Sequence, residues 1–139
     1  MDILRRNTDY AIRALVNLGR NSMERPVPAR ELAKSENISH PLTSKLMQKL
    51  QKAGVVKSRM GPAGGFELRK DSSRINLLEV IETIQGRVAL SGCFADEKFC
   101  DRSSFCLTKK KLQNLQDYIE KYFAELTLAD LIEEKEESK

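Results

Sequence analysis

The sequence predicts a mainly α-helical fold carrying one small β-hairpin, with a long amphipathic helix near its C-terminal end. Three observations predict it. Apolar residues recur at helical spacing through the first half of the chain. A strand-like run at 55–60 is separated from Phe66-Glu67-Leu68 by the turn cluster Gly61-Pro62-Ala63-Gly64-Gly65. Further on, Leu112, Leu115, Ile119, Tyr122 and Leu126 step by 3, 4, 3 and 4, the spacing of a heptad seam.

In order along the chain, residues 7–20 place Ala11, Ala14, Leu15 and Leu18 on one stripe, with Asn7 or Thr8 as the expected cap. Residues 21–27 read as a loop ending at Pro28, a good first-turn residue for a short helix over 29–35 that buries Leu32 and Ala33. Ser39 is a strong N-cap, Pro41 is tolerated in a first turn, and Leu42, Leu46, Met47 and Leu50 form a stripe closed by Gly54. Two helices joined by a tight turn, with a hairpin directly behind the second, make a winged helix-turn-helix. Asn76 and Glu79 suggest a capping box for a helix through Leu77, Val80, Ile81 and Ile84, stopped at Gly86. Thr127 with Asp130 starts a last short helix, and the charged end 133–139 is expected to fray. The expected organisation is a winged helix-turn-helix over 1–86, a cysteine loop over 87–108, and a dimerisation helix with its tail over 109–139.

Charge supports a polyanionic partner for the first part. Net charge is +4 over 139 residues, but residues 1–80 carry +7 and the remainder −3. Each phosphate neutralised by Lys or Arg releases condensed counterions, so a basic half suits double-stranded operator DNA. The first turns of the second helix would face base edges, which assigns Ser39, His40, Pro41, Thr43, Ser44, Lys45 and Gln48 to DNA. In the wing, Gly61 and Gly64 allow close approach to a backbone, with Lys57, Arg59 and Arg69 flanking them. An enzyme is excluded: the chain has one histidine, no nucleophile–base constellation and no phosphate-cradling loop. There is no run of about 18 apolar residues, so no membrane span is expected, and a soluble, cytoplasmic protein is the simplest reading.

Cys93, Cys100 and Cys106 are the only cysteines, spaced C-x6-C-x5-C. An odd, clustered set argues against a disulfide framework. Zinc prefers tighter pairs and a fourth ligand, and an iron–sulfur cluster tolerates a wider loop; redox-active or inert thiols are the third possibility.

The opening Thr8-Asp9-Tyr10-Ala11-Ile12-Arg13-Ala14-Leu15, the segment Leu50-Gln51-Lys52-Ala53-Gly54-Val55-Val56-Lys57-Ser58, the wing Gly61-Pro62-Ala63-Gly64-Gly65-Phe66, the three cysteines and Thr127-Leu128-Ala129-Asp130-Leu131 together closely resemble the Rrf-two superfamily of winged-helix regulators, in its cluster-bearing IscR-, NsrR- and RirA-like group. The resemblance implies a homodimer joined through the long C-terminal helix, with Leu112, Leu115, Ile119, Tyr122 and Leu126 at the interface. It implies a 2Fe-2S or 4Fe-4S cluster held by Cys93, Cys100 and Cys106, and a repressor switched by nitric oxide, redox state or iron supply. The alternative is a zinc-bound or thiol-redox winged-helix regulator without a cluster. IscR-like members carry a histidine where this chain has Lys109; Asp9 matches the aspartate that some NsrR-like members donate from the partner subunit as the remaining ligand. The family often has an arginine just before the wing glycine, where Met60 stands here and Arg59 lies one residue earlier.

Overall fold

The computed structural model describes residues 2–21, 25–102 and 104–134; the expected frayed end lies, from residue 135, outside them. Seven helices and one hairpin follow in order: α1 (Arg6–Asn21), α2 (Ala29–Glu36), α3 (His40–Lys52), β1 (Val56–Arg59), β2 (Gly65–Leu68), a 3-10 turn (Ser72–Arg74), α4 (Leu77–Gln85), α5 (Gly92–Ala95), α6 (Leu107–Glu125) and α7 (Leu128–Glu133). The fold class is the expected one, mostly helical with a two-stranded antiparallel wing.

The main core lies where α1, α2, α3 and the wing meet. Ala11, Ala14, Leu15 and Leu18 of α1 pack with Leu32, Leu46, Met47, Leu50, Val55 and Val56, all nearly or wholly buried. Removing each of these leucine, valine and methionine side chains from water stabilises the fold by about 1.5–3 kcal/mol. Within α3 the buried stripe is Thr43, Leu46, Met47 and Leu50; Leu42, expected inside, is only half-buried. α1 begins at Arg6, earlier than either expected cap. Thr8 is instead fully buried, and its hydroxyl donates to Gln85 Oε1 at 2.6 Å.

The wing runs in the register Val56↔Leu68, Lys57↔Glu67, Ser58↔Phe66 and Arg59↔Gly65. Val27, expected in a loop, bridges Phe66 through two 2.8 Å backbone hydrogen bonds, so a third segment lines the hairpin. That approach needs Gly65: its φ is +155°, and a Cβ there would run into the Val27 carbonyl and the Pro28 nitrogen. Pro28 itself caps α2 rather than entering it.

α7 does not trail away from the DNA-binding half. Leu77 N donates to Leu126 O and Leu128 N to Ile75 O, both at 2.8 Å, and Thr127 and Asp130 close a complete capping box. Leu128 is fully buried in the main core, and Ile132 packs against Gly19, its Cδ1 occupying the place a Cβ would take. At Asn76 the box is incomplete: its side chain accepts from Glu79 N at 2.9 Å, but the Glu79 carboxylate takes the Asn76 amide at 3.3 Å, not the backbone N–H.

Candidate nucleic-acid interface and thiol loop

The turn into α3 is set by Asn37, which adopts the left-handed conformation at φ 56° while Ile38 N returns to Ala33 O at 2.9 Å. Ser39 then caps α3, accepting from Leu42 N at 3.3 Å. Ser39 at the cap and His40, Pro41, Lys45 and Gln48 of the helix are exposed, and Ser44 is half-exposed. Thr43 corrects the sequence reading: it is 1% exposed and its hydroxyl donates to Ser39 O at 2.9 Å, so it faces the core and not the polar face. Gln51, one turn past the face, donates to Ser58 Oγ at 3.1 Å and ties α3 to the wing.

The wing tip presents Met60, 95% exposed, beside Gly61 and Gly64. Below the tip, Lys57 and Arg59 share one carboxylate that no sequence pattern singles out. Glu67 is 8% exposed, and its Oε1 lies 3.1 Å from Arg59 Nε and 3.3 Å from Lys57 Nζ. Both cations keep half or more of their side chains in solvent.

Two glutamines frame the thiol loop. Gln85, the last residue of α4, accepts from Arg5 N at 2.9 Å and from Thr8, and donates to Ile3 O at 2.7 Å, so it binds the chain's start to the point where the loop begins. Gln116, wholly buried in α6, donates to Val88 O at 2.7 Å and accepts from Leu90 N at 2.9 Å. Beside it Arg87 pairs with Glu120 at 3.2 Å. The loop itself is not wholly irregular, since α5 gives it one turn that buries Phe94.

Cys93, Cys100 and Cys106 are all free thiols. Cys93 Sγ lies 3.0 Å from Ser91 Oγ, Cys100 is exposed, and Cys106 occupies the N-cap of α6. There the Lys109 backbone N–H, then the N–H and hydroxyl of Thr108 and the charge of Arg102, hold the Cys106 thiol below its ordinary pKa against the opposing cost of desolvation. Three soft thiol donors, one of them with a lowered pKa, suit iron–sulfur or zinc ligation chemically. Among the described residues, however, no group of three His, Cys, Asp or Glu side chains stands together to hold a metal ion. Asp9 is exposed in the first turn of α1, and Lys109 places its ammonium 5.8 Å from the Phe94 ring centre.

The heptad seam of α6 divides between two faces. Ile119 and Leu126, with Phe123, turn inward onto Leu77, Ile81 and Val88 and are half-buried within one chain. Leu112, Leu115 and Tyr122 are exposed, joined by Leu107 at 77% and Tyr118 at 64%. Among the described residues no helix is long and apolar enough to cross a membrane.

Comparison with known proteins agrees with this architecture. A family model described as "Rrf2: Iron-dependent Transcriptional regulator" matches residues 4–134. The chain is 32% identical over 127 residues to the HTH-type transcriptional regulator IscR of Photorhabdus laumondii, covering 91% of this chain and 77% of that protein. It is 31% identical over 126 residues to an HTH-type transcriptional regulator of Neisseria meningitidis serogroup A, covering 91% and 84%. Among solved structures, T. potens IscR superposes with a TM-score of 0.77 at 25% identity over 98% of this chain and 92% of that one. CymR of B. subtilis shares the fold, with a TM-score of 0.76 at 21% identity over 95% and 97%. These relatives are regulators and not enzymes, and the chain belongs to the Rrf2 family of winged-helix transcriptional regulators.

Proposed function

We propose that this regulator is a homodimeric repressor that reads operator DNA with α3 and the wing, and whose affinity is set by an iron–sulfur cluster on Cys93, Cys100 and Cys106. The observation that carries the proposal is the bonding of the thiol loop at its ends. Gln116 fixes residues 88–90 to α6, Cys106 begins α6, and Gln85 joins the last turn of α4 to the start of α1. A change in the loop between these anchors therefore acts on the helix with the exposed apolar face and on the helix that braces α3. The IscR relatives support the cluster as the group involved. When bound, it would supply an iron centre reactive toward oxidants and nitric oxide.

The chain's own residues do the rest. Cys106 offers a thiol of lowered pKa, and Cys93 and Cys100 precede it on a segment that must fold inward to bring the three sulfurs together. Asp9, reaching from the other subunit, is the proposed remaining ligand, because Lys109 stands where a histidine would be needed. In DNA reading, Ser39, His40, Ser44, Lys45 and Gln48 face base edges; Lys57 and Arg59, with Gly61 and Gly64, approach the backbone. The working compartment is the cytoplasm, where thiols stay reduced.

Anaerobically purified protein should be brown, with visible absorption bands and bound iron and sulfide, and Cys100→Ala should abolish the colour. Asp9→Ala should leave an altered chromophore and uncouple DNA affinity from it. Ser44→Ala and Lys45→Ala should weaken binding to the operator more than to random DNA. In a second reading, a zinc-bound or thiol-redox regulator without a cluster, the thiol-redox form is favoured by the separation of the three thiols and by the lowered pKa of Cys106. Colourless protein with zinc or reversible thiol oxidation would establish it.

A further inference from the structure

The least expected group at the DNA-facing side is a carboxylate. Glu67 lies on β2 directly opposite Lys57, with Arg59 one diagonal step away on the same face of the hairpin. Its side chain is 10% exposed beneath two cations of which 50% and 63% remain in solvent. Arg59 makes its hydrogen bond to Glu67 through Nε, at 3.1 Å, which leaves its terminal nitrogens without a hydrogen-bond partner among the described residues. A guanidinium is planar, so engaging Nε fixes the plane and leaves one edge, with its fork of N–H donors, facing outward.

We propose that Glu67 is a positioning residue for DNA recognition: it holds Arg59 in a single orientation, so that the wing discriminates between duplexes by groove geometry and does not grip any phosphate in reach. The inference rests on the wing reading given above. An arginine free to rotate follows the backbone of any sequence, whereas a fixed one makes its contact only where groove width brings a phosphate or base edge to it. The carboxylate also opposes phosphate. Three charged groups on this face sum to +1 where Lys57 and Arg59 alone would give +2, so Glu67 lowers affinity for DNA in general while raising the share that depends on sequence.

The test is a double-mutant cycle on the full-length protein, Arg59→Ala, Glu67→Gln and both together. Two probes are used: a duplex of about 30 bp selected by the protein from a random-sequence library, long enough for two half-sites, and a scrambled duplex of the same composition. Glu67→Gln keeps the shape but replaces the charge-assisted bond to Nε with a weaker neutral one, which loosens Arg59, and thermal unfolding checks that each variant folds. Glu67→Gln should tighten binding to the scrambled duplex by about threefold at 0.1 M salt and steepen its salt dependence. Binding to the selected duplex should not gain, so the ratio of the two affinities should fall by about threefold. In the Arg59→Ala background the same change should leave the ratio where it was. A ratio unmoved by Glu67→Gln, or moved equally with and without Arg59, overturns the role of Glu67 alone. Arg59→Ala without effect on either duplex overturns the wing reading, and this inference with it.

Discussion

Gln85 shows how much a single polar residue can organise. One amide receives a backbone N–H and the buried Thr8 hydroxyl and donates to Ile3 O, so three otherwise separate groups depend on it. Gln85→Leu should destabilise the protein by about 2 kcal/mol, mainly because the Thr8 hydroxyl, 0% exposed, is left without an acceptor. Thr8→Val in the same chain should recover part of that loss, and non-additive melting temperatures would show it; additive losses would mean that the two side chains act independently. Cys106 carries a second prediction at this scale. Because its pKa is lowered, its thiolate population at pH 7 exceeds that of an ordinary thiol, and its reactivity rises through a midpoint below the usual range. In metal-free protein iodoacetamide should label Cys106 ahead of Cys100 despite the greater exposure of Cys100. Thr108→Val should raise that midpoint, but only in part, since the larger cause, the Lys109 N–H, remains. Equal labelling rates for the two cysteines would contradict it.

The helices differ in how openly the sequence declared them. Ser39 and the Thr127–Asp130 pair were legible because a cap is a local arrangement, complete within four residues. The buried stripe of α3 differs from the sequence pattern at Thr43: its type reads as polar and exposed, yet a threonine whose hydroxyl bonds back to Ser39 O can be buried like a small apolar residue. Gln116 and Glu67 could not be found from sequence, since their roles are set by partners 26 and 8 residues away and their types read as solvent-facing. In α6 the 3 and 4 spacing identifies the apolar positions but not what each one faces. A seam of 3 and 4 steps is shared here between α4 and solvent, and sequence alone does not say which member turns which way. The division makes the interface testable. Leu115→Asp and Tyr122→Asp, on the exposed face, should yield folded monomers by sedimentation if this face joins two copies. Ile119→Asp should instead lower the melting temperature sharply, because it buries a charge against Leu77, Ile81 and Val88. A folded dimer in the first two variants would place the interface elsewhere.

At the scale of the whole molecule, the path of the chain decides what the parts can communicate. After the long α6 the chain turns at Leu126 and returns to the DNA-binding half. There α7 lies along α1, and Leu128 fills the same core as Leu15, Leu46 and Val56. The C-terminal region is therefore a strap that closes over the winged helix, held by the Asn76–Thr127 bridge and by the approach of Ile132 to Gly19. It follows that the winged helix shares its core with α7, while α6 packs on α4 around Leu77, Ile81 and Val88, so that packed groups and no flexible tether join the C-terminal helices to the DNA-binding half. Leu128→Ala should cost about 3 kcal/mol, a drop of roughly 10 °C in melting temperature, as expected for a leucine removed from a closed core. Unfolding should remain one transition by circular dichroism and by Tyr fluorescence, and DNA binding should be lost at the same temperature as secondary structure. Two separated transitions, with the DNA-binding half surviving the first, would show that α7 is an appendage and that the coupling runs by another route.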